Sequence, residues 1–403
     1  MKGIAWNTEA KVLAGLALCI TIPMVILAAI GLMHALPTDL RAVSESTPAL
    51  TDRAGRQAPT EGCGLNQKAR GDQCAATKTQ ATTTDVSFPS SIANKGLETL
   101  SGTLWMPKTK GPHPAVVLIG GSGPTDRHAT TPGDLLTSLD QPLAPFDQLA
   151  KHLSSQGLAV LQYDKRTCAA CYKDATGEHL KAFEFSDLIA DARDAVGFVA
   201  KQPGVNGRAV VVVGHSQGAA LAPLVARDNP SVLAVALLAG TTESLGALLA
   251  NQTQRKGQAR AKRFDLWSKW SHQALADAMR ACAQKTTQPK HDPNEACMGP
   301  GLTLAMLAGY DALQNDANAA LPTLNVPIIA LQGTLDINVS PQQIDTYKTM
   351  LSGRDAEFHR LKGVTHSLTD GLGAGAGATG VDPRVLDLLD TFLGTLRAPK
   401  ETP

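Results

Sequence analysis

The chain has 403 residues, 43% hydrophobic and 18% charged, enough to build one large domain or two small ones around a buried core. Its 37 basic and 36 acidic side chains leave a formal net charge of +1. No global field or long basic run favours a nucleic-acid partner, and none is expected.

The first informative segment is Val12 to Leu36, which contains no Asp, Glu, Lys or Arg. A helix of this length crosses a hydrocarbon core of about 30 Å. A cleaved secretory signal is the rival, but its apolar region is usually about 7–15 residues, shorter than this one. Its best cleavage pattern, Ala42-Val43-Ser44, lies beyond charged residues, and Leu18 is too bulky for lipoprotein processing at Cys19. Residues 1–36 are therefore predicted to be an uncleaved anchor, with secretion after cleavage as the alternative. Lys2 and Lys11 precede the span against a single acid, Glu9, which puts the N-terminus on the cytoplasmic side and the bulk outside.

The cysteines support that orientation independently. Six lie beyond the span and form three local pairs: Cys63 with Cys74, Cys168 with Cys171, and Cys282 with Cys297. An even number outside the membrane suits an oxidising compartment, although spacing alone does not fix connectivity. A redox-active pair or half of a zinc site is the competing reading of Cys168 and Cys171. No second close Cys or His pair joins them, which favours a structural bridge.

Residues 37–84 are rich in Thr, Ala, Pro, Gln and Gly and read as a linker. A folded domain is predicted over 85–398. It opens with two strands, DVSFPS and LETLSGTLWMP, around a turn at Asn94-Lys95-Gly96. Continuous apolar runs follow at Ala115–Ile119, Leu158–Tyr163, Ala209–Val213, Val232–Leu238 and Val326–Leu331, as in strands buried on both faces of a parallel sheet. Phe146–Gln156 and Phe185–Ala200 have helical apolar spacing. The alternation predicts an α/β fold, a mostly parallel central sheet with helices on both faces. Between Thr241 and Leu321 no strand run occurs, and this interval is expected to be a helical cap. Val385, Leu388, Leu389, Phe392 and Leu393 form one stripe on a final helix at Pro383–Leu396.

The strongest motif is Gly214-His215-Ser216-Gln217-Gly218, directly after the run AVVVV and before AALAPLVA. Strand, sharp turn and helix are the context of a nucleophile elbow, where a serine stands exposed at a helix N-terminus. A serine hydroxyl needs a base, and the base needs an orienting acid. In the expected order Ser, acid, His, the candidates are Asp336 in LQGTLDINVSP and His366 in GVTHSL, each just past a strand run. His215 is an unfavourable partner because it is next to Ser216 on the turn. His359 lies inside a strand run and reads as structural. The backbone N–H groups of Gln217 and Ser122 are the candidate oxyanion donors, with Gly121 as neighbour, in the loop Gly120-Gly121-Ser122-Gly123-Pro124. Asp126, Arg127, Asp164, Lys165 and Arg166 read as a salt-bridge network joining two loops, with substrate binding as the alternative. No HExxH or clustered ligand spacing is present, so no metal is expected.

With SGTL, GGSGPTDR, YDKR, GHSQG, GTLDINV and GVTH, the chain resembles bacterial α/β-hydrolases of the esterase and serine-aminopeptidase type from about Thr84 to Leu396. It departs from them at Gly120, where a His often opens the loop, and at Thr167, where a Gly often follows the DKR unit. The resemblance implies the fold, a triad of Ser216, Asp336 and His366, and cofactor-free acyl chemistry. The resulting expectation is an enzyme of the bacterial inner membrane with a periplasmic catalytic domain, cleaving small acyl esters through an acyl-enzyme intermediate. A peptidase or amidase, and a non-catalytic binding protein on the same fold, are the alternatives.

Overall fold

The computed structural model describes residues 51–54, 64–70, 73–92, 96–130, 143–172, 180, 183–261, 266–288, 292–297, 302–371 and 380–396. Its strands, in chain order, are β1 (Thr51–Ala54), β2 (Gln67–Arg70), β3 (Gln73–Ala76), β4 (Ala81–Pro89), β5 (Thr99–Pro107), β6 (His113–Ile119), β7 (Ala159–Tyr163), β8 (Val205–His215), β9 (Val232–Leu238), β10 (Ile328–Gly333) and β11 (Ala356–Leu361). Its helices are α1 (Pro145–Ser155), α2 (Phe185–Ala200), α3 (Gln217–Ala226), α4 (Leu245–Ala261), α5 (Leu266–Gln284), α6 (Leu304–Ala320), α7 (Gln343–Met350) and α8 (Pro383–Thr395).

Nine strands form one sheet in the order β1-β11-β10-β9-β8-β6-β7-β5-β4. The six from β11 to β7 run parallel, and β1, β5 and β4 pair antiparallel at the margins. The apolar runs are continuous because both faces are covered. Val210 and Val212 pack into one hydrophobic layer with α2 and α3, whereas Val211 and Val213 pack into the opposite layer with α1 and α8. Side chains alternate faces along a strand, so a run such as AVVVV is needed to fill two layers at once.

The interval between β9 and β10 is helical, as expected, but its parts have different attachments. Helices α4 and α5 pack on each other. Cys282 of α5 is buried against Leu304 and Leu307, and it is bridged to Cys297. The second half of α6 does not belong to a separate cap: Leu313, Ala317 and Ala320 join the main core beside α3. The sequence boundary of 241–321 therefore extends into the body of the domain.

The expected linker 37–84 needs correction over its described part. Leu65 is buried in the layer formed by α1 and α8, and its N–H donates to the Leu393 carbonyl at 3.0 Å. The Asn66 side-chain amide donates to the Asp390 carbonyl at 2.8 Å, and the hairpin β2–β3 follows. β4 begins at Ala81 rather than Asp85, and β1 pairs with β11. The polar composition of this stretch resembles a tether because β4 is an edge strand whose Thr82, Thr83 and Thr84 are exposed. Threonine still favours extended backbone through its branched Cβ.

The span expected at 12–36 lies outside the described residues. Among those described, no helix is long and apolar enough to cross a membrane. Cys63 and the side chain of Cys74 also lie outside them, so their pairing is untouched by this structure.

If Leu65 is a core residue, Leu65→Ala should lower the unfolding free energy by about 2–3 kcal/mol, in the lower part of the range for buried leucines. A tether residue would change it by less than about 0.5 kcal/mol. Denaturant unfolding of the two proteins separates these outcomes.

Candidate active site

The site is set by one feature of the sheet order. From β6 the chain passes to β7 on one side, then returns to β8 on the other. The carboxyl ends of β6 and β8 are therefore neighbours, with Ile119 paired to Gly214, and the loops leaving them diverge. Open α/β sheets form their crevice at such a switch point.

Ser216 caps α3 with φ 55° and ψ −118°. Positive φ is uncommon for a residue with a side chain and is retained only where surroundings enforce it. Here its N–H donates to the Leu238 carbonyl at 2.9 Å, and its own carbonyl accepts from Ala219 N at 3.0 Å. A Cβ at Gly214 would run into the Gly218 backbone, and one at Gly218 into the Ile119 carbonyl. The glycines of the motif are thus required by close backbone approach as well as by the turn. Ser216 is half-buried, and among the described residues its Oγ has no hydrogen-bond partner.

Asp336 follows β10 and is buried. Its Oδ1 accepts from the N–H groups of Asn338 and Val339 at 2.8 and 2.7 Å. Its Oδ2 accepts from the Gln332 side-chain amide at 2.8 Å and contacts Nδ1 of His366 at 2.8 Å. An ionised carboxylate only accepts, so the Nδ1 proton belongs on His366, which leaves Nε2 as the free base of the neutral ring. His366 follows β11, in the turn after Val364.

His215 takes a role that the sequence reading did not assign. Its Nε2 lies 2.8 Å from the His366 carbonyl, and the two rings are 4.9 Å apart. Burial, then the proximity of His366, lowers its pKa to about 4. It therefore stays neutral at ordinary pH and braces the His366 loop. The signal was visible only as a histidine next to the serine, which says nothing about a partner 151 residues away.

The loop after β6 reaches the serine directly. A Cβ built on Gly121 would lie 3.2 Å from Cβ and 3.6 Å from Oγ of Ser216. Ser122 is next in the chain and exposed, while Gln217 N lies on the other side, at the first residue of α3. The candidate donors are thus presented by two adjacent strand ends.

The charged set divides into four. Arg127 pairs with Asp164 through Nε and Nη2 at 3.0 and 2.7 Å and also donates to the Gly102 carbonyl. Arg166 forms a buried two-pronged pair with Asp191, both contacts at 2.6 Å. Asp126 accepts from the N–H groups of His128 and Thr130. Lys165 departs from the expected network. Its Nζ donates to the Gly121 carbonyl at 2.6 Å and to Oε1 of Gln217 at 2.7 Å. Its place between Asp164 and Arg166 suggested an ion pair, yet both acids nearby are taken by arginines.

Helix α4 of the insertion reaches the same region. The Arg255 guanidinium donates to the carbonyls of Ile337 and Asn338, in the loop that carries Asp336. Cys168 and Cys171 are bridged just after Lys165, where Cys168 N donates to the Lys165 carbonyl. Among the described residues no group of three or more His, Cys, Asp or Glu side chains is arranged to hold a metal ion.

Comparison with known proteins agrees with this architecture. The chain is 27% identical over 288 residues to Esterase EstD of Thermotoga maritima, an alignment that covers 70% of this chain and 61% of the esterase. Among solved structures, the acylaminoacyl peptidase of Pyrococcus horikoshii superposes with a TM-score of 0.50 at 12% identity, over 81% of this chain and 44% of that longer one. This second likeness concerns the fold alone. A profile for "Serine aminopeptidase, S33" matches residues 143–370, more than half of the chain and the whole stretch from α1 past His366. The protein belongs to that family of α/β-hydrolases.

Proposed function

We propose that the protein is a serine hydrolase that cleaves carboxyl esters, with Ser216 as nucleophile, His366 as general base and Asp336 as the orienting acid. The observation that carries this reading is the Asp336–His366 hydrogen bond, delivered from the ends of β10 and β11 to the sheet end that also bears the strained Ser216 turn. On this reading, Nε2 of His366 takes the hydroxyl proton as Oγ attacks the ester carbonyl. The carbonyl oxygen gains the charge and is met by the N–H groups of Gln217 and Ser122. Collapse of the adduct transfers the proton from His366 to the departing alcohol and leaves an acyl-enzyme. Water, deprotonated by the same imidazole, then releases the acid and restores the serine. A Ser216 hydroxyl without a hydrogen bond to the base is compatible with this chemistry, since bonds between base and nucleophile often tighten only with substrate.

Ester cleavage leads because the curated relative is an esterase. Aminoacyl-amide cleavage is the second reading. It draws on the family description and on Glu243, in the loop after β9, whose buried Oε2 has no hydrogen-bond partner among the described residues. Such a carboxylate could receive a substrate amino group.

We further propose residues 1–36 as a membrane anchor that holds the hydrolase domain in the periplasm, with a small acyl ester as the partner in solution. The bridges Cys168–Cys171 and Cys282–Cys297 support an oxidising compartment, where such bonds persist.

A fluorophosphonate should label the protein at Ser216. Ser216→Ala should abolish labelling, and both Ser216→Ala and His366→Ala should lower kcat at least about a thousandfold. Persistent labelling of Ser216→Ala would exclude this nucleophile. In a panel of substrates, short acyl esters should exceed aminoacyl amides in kcat/KM; a tenfold preference for the amides, about 1.4 kcal/mol of transition-state binding, would reverse the ranking.

Non-reducing peptide mapping of protein made in its own host should recover the 168–171 and 282–297 bridges. Free alkylation of all four thiols without reductant would remove the support for an external domain.

A further inference from the structure

Lys165 is among the largest fully buried side chains of the domain. A buried ammonium is costly unless a counter-charge or several acceptors meet it. The adjacent Asp164 is engaged by Arg127, and Asp191 by Arg166. Burial lowers the Lys165 pKa to about 7, only partly opposed by the charge of Asp191. Burial thus works against its charged state, and its two contacts are both neutral oxygens.

Those two oxygens belong to the two walls of the proposed oxyanion hole. One is the Gly121 carbonyl, the other the Gln217 side chain. In a trans peptide the carbonyl of one residue and the N–H of the next point in opposite directions. Fixing the Gly121 carbonyl toward the buried ammonium therefore turns the Ser122 N–H away from the interior. A hydrogen bond to the carbonyl oxygen also polarises that amide and makes its N–H a stronger donor. The second contact restrains Gln217, whose backbone N–H begins α3.

We propose that Lys165 is a positioning residue for the oxyanion hole, a single Nζ donor that ties the Gly121–Ser122 peptide to Gln217 and so holds both backbone donors in one geometry. This rests on the reading of Ser216 as nucleophile. The Nζ lies behind the donors, on the side away from substrate, and acts through them. Its help is needed as negative charge develops on the substrate oxygen, because donors aligned in advance need no reorganisation at that moment. Ground-state binding makes little demand on it.

The test uses the full chain with a short acyl ester and an alkyl boronic acid, whose adduct with the serine is tetrahedral and anionic. Lys165→Met should lower kcat about 30- to 100-fold, below the hundred- to thousandfold span for outright loss of an oxyanion donor, and leave KM within about twofold. Affinity for the boronic acid should fall by a similar factor, because the adduct uses the same donors. Gln217→Leu should also lower kcat, and the double variant should lose less than the product of the two single losses. Should Lys165→Met fail to fold, Lys165→Gln is held to the same kcat, KM and boronic-acid criteria. A folded variant with kcat within twofold of the parent, or one whose loss lies in KM with boronic-acid affinity unchanged, overturns the proposal. If the parent itself neither labels at Ser216 nor turns over esters, the failure belongs to the Ser216 reading.

Discussion

The turn from β8 into α3 is the constraint on which the rest of the site depends. In a few residues the chain leaves a strand buried from Ala209 to His215, passes through Ser216 at positive φ and enters a helix whose residues are all buried. Such a backbone is strained and persists only because its neighbours leave no alternative. β9 supplies the Leu238 carbonyl that accepts the Ser216 N–H, and β6 ends against Gly218. The two sheet neighbours of β8 thus enforce the turn, and one of them, β6, emits the loop that reaches the serine.

Beneath this turn the domain invests in buried polar contacts that a purely apolar core would not need. The Arg166–Asp191 pair joins the loop after β7 to α2, and Ser90 at the end of β4 joins it too. Arg127 ties the loop after β6 to Asp164 and to the margin of the sheet. A buried ion pair adds little to stability over apolar packing, but removing one partner leaves an uncompensated charge. The arrangement therefore fixes the loops after β6 and β7 in register with each other. That register carries the Lys165 ammonium to Gly121 and Gln217.

The insertion between β9 and β10 reaches the site through backbone carbonyls rather than through its apolar faces. Arg255 holds Ile337 and Asn338, and the next N–H groups in that loop bind Asp336. Helix α6 is anchored in the main core, while α4 and α5 pack on each other and the Cys282–Cys297 bridge closes the connection that follows them. An element attached in this way can vary its outer face with little effect on the acid loop. This is consistent with a family in which one sheet serves many substrates.

The apolar runs determined the sheet. Two-faced burial demands continuous Val, Leu and Ala. GHSQG after such a run, with Asp336 and His366 each following a later run, made the candidate site legible in order, because strand ends are where this architecture exposes its functional groups. Local pairing of Cys282 with Cys297 was legible for a similar reason, since their spacing is short. What sequence could not supply were partners set by three-dimensional approach. Leu65 lay in a polar stretch, and only the α8 surface makes it a core residue. His215 was a neighbour of the serine until folding placed the His366 carbonyl beside it. Lys165 stood between an acid and an arginine, which suggested an ion pair. The tertiary structure gave both acids to arginines with better two-pronged geometry and left the lysine to backbone and amide oxygens, a choice decided by competition among groups far apart in the chain.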